Sequence, residues 1–193
     1  MIKFIAKEDV KKYPLIKFKG NIHVIDNQTK LSQASKILRT ANVLGFDTET
    51  KPSFKKGVSY KISLLQLSSL NDVFIFRLNK IGLDEKLIGF LSNPDVLKVG
   101  IDVKNDIIGL KKYVHFKESN FLDLNKLALD TGFQSIGAVK LSIMLLGKRI
   151  SKTQRLSDWS SETLTDKQLL YAATDAWICP KILDVFKKRG LYC

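Results

Sequence analysis

Covalent staples are nearly absent from this sequence: its 193 residues include only two cysteines, Cys179 and Cys193, with no CxxC pair. That excludes a disulfide framework and fits a reducing, cytoplasmic setting. Histidine is equally scarce, at His23 and His115 only. No apolar run approaches the ~18 residues of a membrane span, so no membrane partner is expected. The opening MIKFIAKEDV reaches Glu8 and Asp9 before an apolar stretch of signal-peptide length develops, so no secretion signal is expected. Acids are in short supply too, 19 Asp and Glu against 32 Lys and Arg, which leaves a net charge of +13 and a pI near 9.7. Such a balance favours an acidic partner such as nucleic acid, with a merely solvated basic surface as the alternative.

What is present suffices for one domain that buries its own core. IHVID (22–26) alternates as a strand, and 31–39 has helical spacing at Leu31, Ala34, Ile37 and Leu38, with Thr29 as a candidate cap. NVLGFDTE reads as a buried strand, and KISLLQLSS and DVFIFRL form a hairpin around Leu70, Asn71 and Asp72. A helix over 83–91, the Asn93-Pro94 turn, the short strand VLKVGI and a helix over 103–113 follow. The remainder reads as mostly helical. Together these describe a mixed sheet followed by helices, without internal repeats. Thr165 and Gln168 have capping-box spacing at the start of a last helix whose apolar seam runs through Leu169, Ala172, Ala176, Cys179, Leu183 and Phe186. Pro180 interrupts that seam and predicts a kink, or a break and a second short helix.

Against this frame the few acids stand out. Asp47 and Glu49 end the buried strand VLGFDTET two residues apart, hence on one side of the sheet. Two carboxylates so placed must hold a proton, bind a base or share a cation, and Mg²⁺ or Mn²⁺, hard cations that take oxygen ligands, resolve the conflict. Asp106 opens a helix just after a strand, in KVGIDVKNDIIGL; Asp102 competes with it, and either could simply favour the helix N-terminus. Tyr171 and Asp175 lie four apart on one helical face, beside the apolar seam.

Asp47-Thr48-Glu49, Asp106 within VGIDVKNDI, and Tyr171-Ala-Ala-Thr-Asp175 together resemble the three motifs of the DEDD 3′-to-5′ exonucleases, over about residues 22–189. LLGKRISKTQRLSDWSSETLTDKQLLYAATDAW is similar to the segment leading into the third motif of ribonuclease D and of the Werner exonuclease domain. The resemblance implies an α/β, ribonuclease-H-like fold: a mixed β-sheet with helices on both faces, as a single domain over 21–193 after an N-terminal extension over 1–20. It also selects Asp106 over Asp102. In the family a His five residues before the last Asp, or a Tyr four before it, orients the attacking water. Leu170 and Tyr171 fill those positions here, so the chain resembles the tyrosine subclass, and the two histidines match no motif.

By the same resemblance, Asp47, Glu49, Asp106 and Asp175 would ligate two divalent cations, Mg²⁺ or Mn²⁺, and Tyr171 would orient the water. The partner would be a nucleic acid with a free 3′ end, shortened by one nucleoside 5′-monophosphate at a time. Ribonuclease D carries further helical binding domains that this chain is not expected to have; that leans the reading toward DNA, by analogy with the Werner-type enzymes. Lys51, Lys55, Lys56, Lys104, Lys148, Arg149, Lys152 and Arg155 cluster near the motifs, where phosphates would suit them. Phe54 is a candidate for stacking on a base, and Trp159 for stacking or core packing. A noncatalytic nucleic-acid-binding module on the same fold is the rival reading, and the complete acid set argues against it.

Overall fold

The computed structural model describes residues 2–192; Cys193 lies outside them. Strand β1 (Asn21–Ile25) leads into α1 (Gln28–Leu38), then come β2 (Val43–Thr50), β3 (Ile62–Ser68) and β4 (Asp72–Arg77). Helices α2 (Leu78–Ile81) and α3 (Glu85–Ser92), strand β5 (Leu97–Gly100), helix α4 (Val103–Leu110) and strand β6 (Phe121–Asp123) follow. The chain then runs through α5 (Leu124–Asp130), α6 (Ala138–Leu146) and the long α7 (Asp166–Lys188). The six strands form one mixed sheet in the order β1-β4-β3-β2-β5-β6, with β2, β3 and β4 antiparallel and the outer pairings parallel.

Two apolar layers sandwich this sheet. On one face Leu44, Phe46, Leu65, Leu67, Phe74 and Phe76 pack under α1 to α4. On the other, Leu64, Val73, Ile75 and Val99 pack under α5, α6 and α7. Alternation along β2 and β3 sends neighbouring side chains to opposite layers, which is why the strands read as continuous apolar runs. The segment 2–20 joins the second layer: Ile5 and Phe18 are buried in it, the Phe18 amide donates to Thr174 Oγ1 at 3.1 Å, and Arg149 Nε donates to the Tyr13 carbonyl at 2.9 Å.

Four details differ from the sequence expectations. The cap of α1 is Asn27, whose side chain accepts from the Lys30 amide, so Thr29 lies inside the helix. Strand β6 was hidden by its length, three residues with no alternation to read. The short helix α2 follows β4 directly, where only a strand end was expected. Finally, α7 is one helix of 23 residues through Pro180, so of the two outcomes expected there the break into a second short helix does not occur. Its capping box forms as expected, Thr165 Oγ1 accepting from Gln168 N and Gln168 Oε1 accepting from Thr165 N. The proline costs the Ala176 carbonyl its helical partner, and packing explains why the helix survives. A methyl group on Gly45 of β2 would lie 2.1 Å from Ala176 O and 2.8 Å from Pro180 Cδ. Gly45 thus lets the proline turn of α7 press directly onto β2, where the buried seam holds the helix continuous. That close approach sets the position of Asp175, one residue before Ala176.

Candidate metal centre

The end of β2 has two sides. Asp47 and Glu49 point to the α7 layer, as Gly45 does, while Thr48 between them points to the α4 layer. From α7, Asp175 meets the first pair: one carboxylate oxygen of each of Asp47, Glu49 and Asp175 lies within 4.8 Å of the others. From the opposite side Thr48 Oγ1 donates to Asp106 Oδ1 at 2.5 Å. Asp106, in the first turn of α4, is thereby drawn over the strand end, close enough to raise the pKa of both Asp47 and Glu49. Three of the acids expected from the sequence, Asp47, Glu49 and Asp175, therefore meet, and Asp106 is tied to the same strand end through Thr48. Asp102 stays apart: it is exposed, carries a left-handed φ of 63° and accepts from Asn105 Nδ2. The α4 terminus is capped instead by Asp123 of β6, which accepts from the Asp102 and Val103 amides and also caps α5 through Asn125 N.

The electrostatics are unfavourable without a cation. Burial first, then Glu49, Asp175 and Asp106, hold the Asp47 carboxyl well above the usual range. Glu49 is pushed up to about 8 by burial and by Asp175. Asp106 rises to about 7, burial outweighing the hydrogen bond from Thr48. Asp175 is raised by burial and pulled back by Lys152. Among the described residues one protein cation reaches the cluster: Lys152 Nζ, 2.8 Å from Asp175 Oδ2 and over the Tyr171 ring. Burial lowers its pKa, but Asp175, Asp47 and Glu49 outweigh that and the net shift is upward. Asp175 is only 7% exposed, and its other oxygen, Oδ1, has no hydrogen-bond partner. Hard oxygen donors at this spacing, kept from ionising by one another, fit a hard divalent cation such as Mg²⁺ or Mn²⁺.

Tyr171 stands one helical turn before Asp175 and is buried, its ring 5.8 Å from that of Trp159. Burial, then the charges of Asp175, Glu49 and Asp47, push its phenol pKa far above the ordinary value, so the hydroxyl keeps its proton and can only donate or accept hydrogen bonds. Trp159 is fully buried and supports Tyr171 from behind, which leaves the core-packing expectation for it and removes the stacking one. His23 pairs with Asp72 at 2.8 Å and stacks on Phe74, and His115 lies exposed after α4; neither belongs to the centre.

The expected basic residues divide. Lys152 turns inward onto Asp175, and Arg149 ties down the N-terminal segment. Lys55, Lys56, Lys104 and Arg155 are exposed and form no ion pair among the described residues. Lys51 reaches Asp158 at 2.7 Å and lies over the Tyr60 ring. This bridge closes one side of a cleft of about 330 Å³ that opens two residues beyond Glu49 and is lined by Phe54, Lys55, Tyr60 and Leu156; Phe54 is 81% exposed. Sequence reasoning missed Thr48 as the holder of Asp106, although its place between the two acids fixed which face it would take. It also missed the inward turn of Lys152, for which the sequence gives no signal.

A 3′-5′ exonuclease family profile matches residues 22–190. The bifunctional 3′-5′ exonuclease/ATP-dependent helicase of Mus musculus is 29% identical over 190 residues, covering 92% of this chain, which spans only 13% of that protein's length. Among solved structures, the EXO domain of Aedes aegypti Nibbler superposes with a TM-score of 0.78 at 23% identity, covering 91% of each chain. The ribonuclease D of Trypanosoma brucei, in complex with RNA U12, superposes with a TM-score of 0.76 at 21% identity, covering 87% of this chain and 63% of that one. Both superpositions share the fold, and the profile extends over the strands and helices that carry all four acids and Tyr171. The chain belongs to the 3′-5′ exonuclease family.

Proposed function

We propose that this protein removes nucleotides one at a time from a nucleic-acid 3′ end, by a two-metal mechanism of the tyrosine DEDD type, releasing nucleoside 5′-monophosphates. The observation that carries the reading is the convergence of Asp47, Glu49 and Asp175 within 4.8 Å, with Asp106 brought in by Thr48. Asp47, Glu49, Asp106 and Asp175 would hold two Mg²⁺ or Mn²⁺ ions, which supply an activated water and neutralise charge on the leaving oxygen. Tyr171, its proton firmly held, orients that water by hydrogen bonding and does not act as a base. Lys152 offsets part of the acid charge that would repel a phosphate.

The exonuclease unit is taken as 21–193, with 1–20 as an extension packed on it. Phe54 and Tyr60 offer stacking surfaces for the strand, and Lys55, Lys56, Lys104 and Arg155 offer phosphate contacts. DNA is placed ahead of RNA by analogy with the Werner-type enzymes that the motifs resemble; the RNA held by the trypanosomal neighbour argues for testing both. A reducing, cytoplasmic setting completes the proposal, in keeping with the buried free thiol of Cys179.

The test is an assay of 5′-end-labelled DNA and RNA, single- and double-stranded, with Mg²⁺ or Mn²⁺, resolved at single-nucleotide length. The reading predicts a ladder descending from the 3′ end that chelation abolishes. Internal fragments would assign an endonuclease, and binding without cleavage would assign the noncatalytic module.

A further inference from the structure

Several buried polar atoms beside the centre lack a hydrogen-bond partner, Asp175 Oδ1, Ser68 Oγ and Trp159 Nε1 among them, and Gln66 is the residue that strands two. It lies on β3 directly opposite Asp47 in the antiparallel ladder, and such cross-strand partners point to the same face with Cβ atoms about 4.5–5.5 Å apart. Its other cross-strand neighbour, on β4, is Ile75, and two residues back on the same face is Leu64, both core; two residues on is Ser68, uncharged and buried, its Oγ also without a partner. Gln66 is 0% exposed, and neither Nε2 nor Oε1 has a hydrogen-bond partner. A leucine or methionine would fill this place in the layer under α7 without stranding two polar atoms. Of the residues flanking Gln66 along and across the strands, Asp47 is the one that can ionise.

We infer that Gln66 is a positioning residue for Asp47: its side-chain amide donates to the Asp47 carboxylate when that group is ionised as a cation ligand, fixing which oxygens face the cations. The inference rests on the reading of Asp47 as a metal ligand. The chemistry is that of an outer partner to a ligating carboxylate, which sets the ligand's orientation and whose loss typically costs 10- to 100-fold in metal affinity or activity. An amide suits the task because it donates without adding a charge of either sign to a cluster that already holds four acids.

The experiment compares wild type with Gln66→Met, close in volume but without donor or acceptor, by thermal melting, by Mn²⁺ titration calorimetry in the absence of substrate, and by steady-state kinetics. The expected result is a melting temperature equal to or above wild type, Mn²⁺ affinity lower by about tenfold or more, and a fall in kcat larger than any rise in KM. Unchanged Mn²⁺ affinity and kcat in the folded variant would overturn the inference and leave Gln66 a core residue, with the metal reading intact. Failure of the wild type to bind Mn²⁺ would overturn both. Should Gln66→Met not fold, the wild-type Gln66 side-chain amide is followed by ¹⁵N NMR during a Mg²⁺ titration. One of its two protons is expected to move downfield as it bonds to the carboxylate, and an unmoved pair would overturn the inference.

Discussion

The two faces of the sheet meet the end of β2 in different ways. The α1–α4 face is largely apolar, though it buries Lys98, whose ammonium donates to the Asn93 and Val96 carbonyls, and its one contribution to the centre is Asp106, held at the strand end by a hydrogen bond from Thr48. The α7 face takes in polar groups: Asp175 and Gln66 are buried and Asp47 and Glu49 half-buried, with Lys152 at the margin. A buried carboxylate costs free energy unless it is paired, so the α7 face carries the larger electrostatic burden. It bears that burden because the Gly45 contact with the proline turn holds helix and strand together. One face supplies rigidity cheaply, while the other gives up stability for a charged pocket at a fixed spacing.

Perturbing the two faces should therefore have unequal effects. Asp47→Asn, on the α7 face, removes a shared ligand and is expected to lower hydrolysis at least about a thousandfold, while the metal-free melting temperature stays equal or rises as acid crowding is relieved; exonuclease rates and calorimetry check both. Gly45→Ala drives a methyl into the Ala176 carbonyl and should cost about 1–3 kcal/mol, with activity reduced as Asp175 moves off its place; denaturant unfolding and kinetics on the folded fraction measure this.

The burden itself can be read as a pH dependence. Glu49, raised from 4.5 to about 8, and Asp106, raised from 3.8 to about 7, bind more protons folded than unfolded across those intervals. The metal-free protein should therefore lose stability as pH rises from about 4 to about 8. Saturating Mg²⁺ should flatten that decline, which melting curves across pH with and without the ion will show. The smallest effect belongs to the apolar face: Thr48→Val removes the hydrogen bond to Asp106 and should lower kcat/KM by about tenfold, with little change in melting temperature.

The same contrast explains what the sequence made legible. Elements whose identity depends on local periodicity and caps could be read directly: β2, the β3–β4 hairpin, α4, and α7 with its capping box. So could Asp47 and Glu49, because paired carboxylates ending an apolar strand are costly wherever they occur, whereas Asp106 is separated from Asp102 only by the family resemblance. What escaped depended on tertiary contact. Pro180 kinks or breaks a helix by local rules, and the close seat that Gly45 gives the proline turn on β2 is not written in α7's own sequence. Strand β6 exists through its pairing with β5 and not through its own three residues. Lys152 looked like its exposed neighbours until α7 brought Asp175 beneath it, and Gln66 was hidden inside an apolar run whose register with Asp47 no single strand reveals.

The central claim is that acids from β2, α4 and α7 share divalent cations. Crystals of the protein grown with Mn²⁺, measured near the manganese edge, test it most directly. The account predicts two anomalous peaks about 3.5–4 Å apart, enclosed by Asp47, Glu49, Asp106 and Asp175 with Asp47 touching both. Well-ordered crystals showing no peak there, or manganese bound only elsewhere, would contradict it.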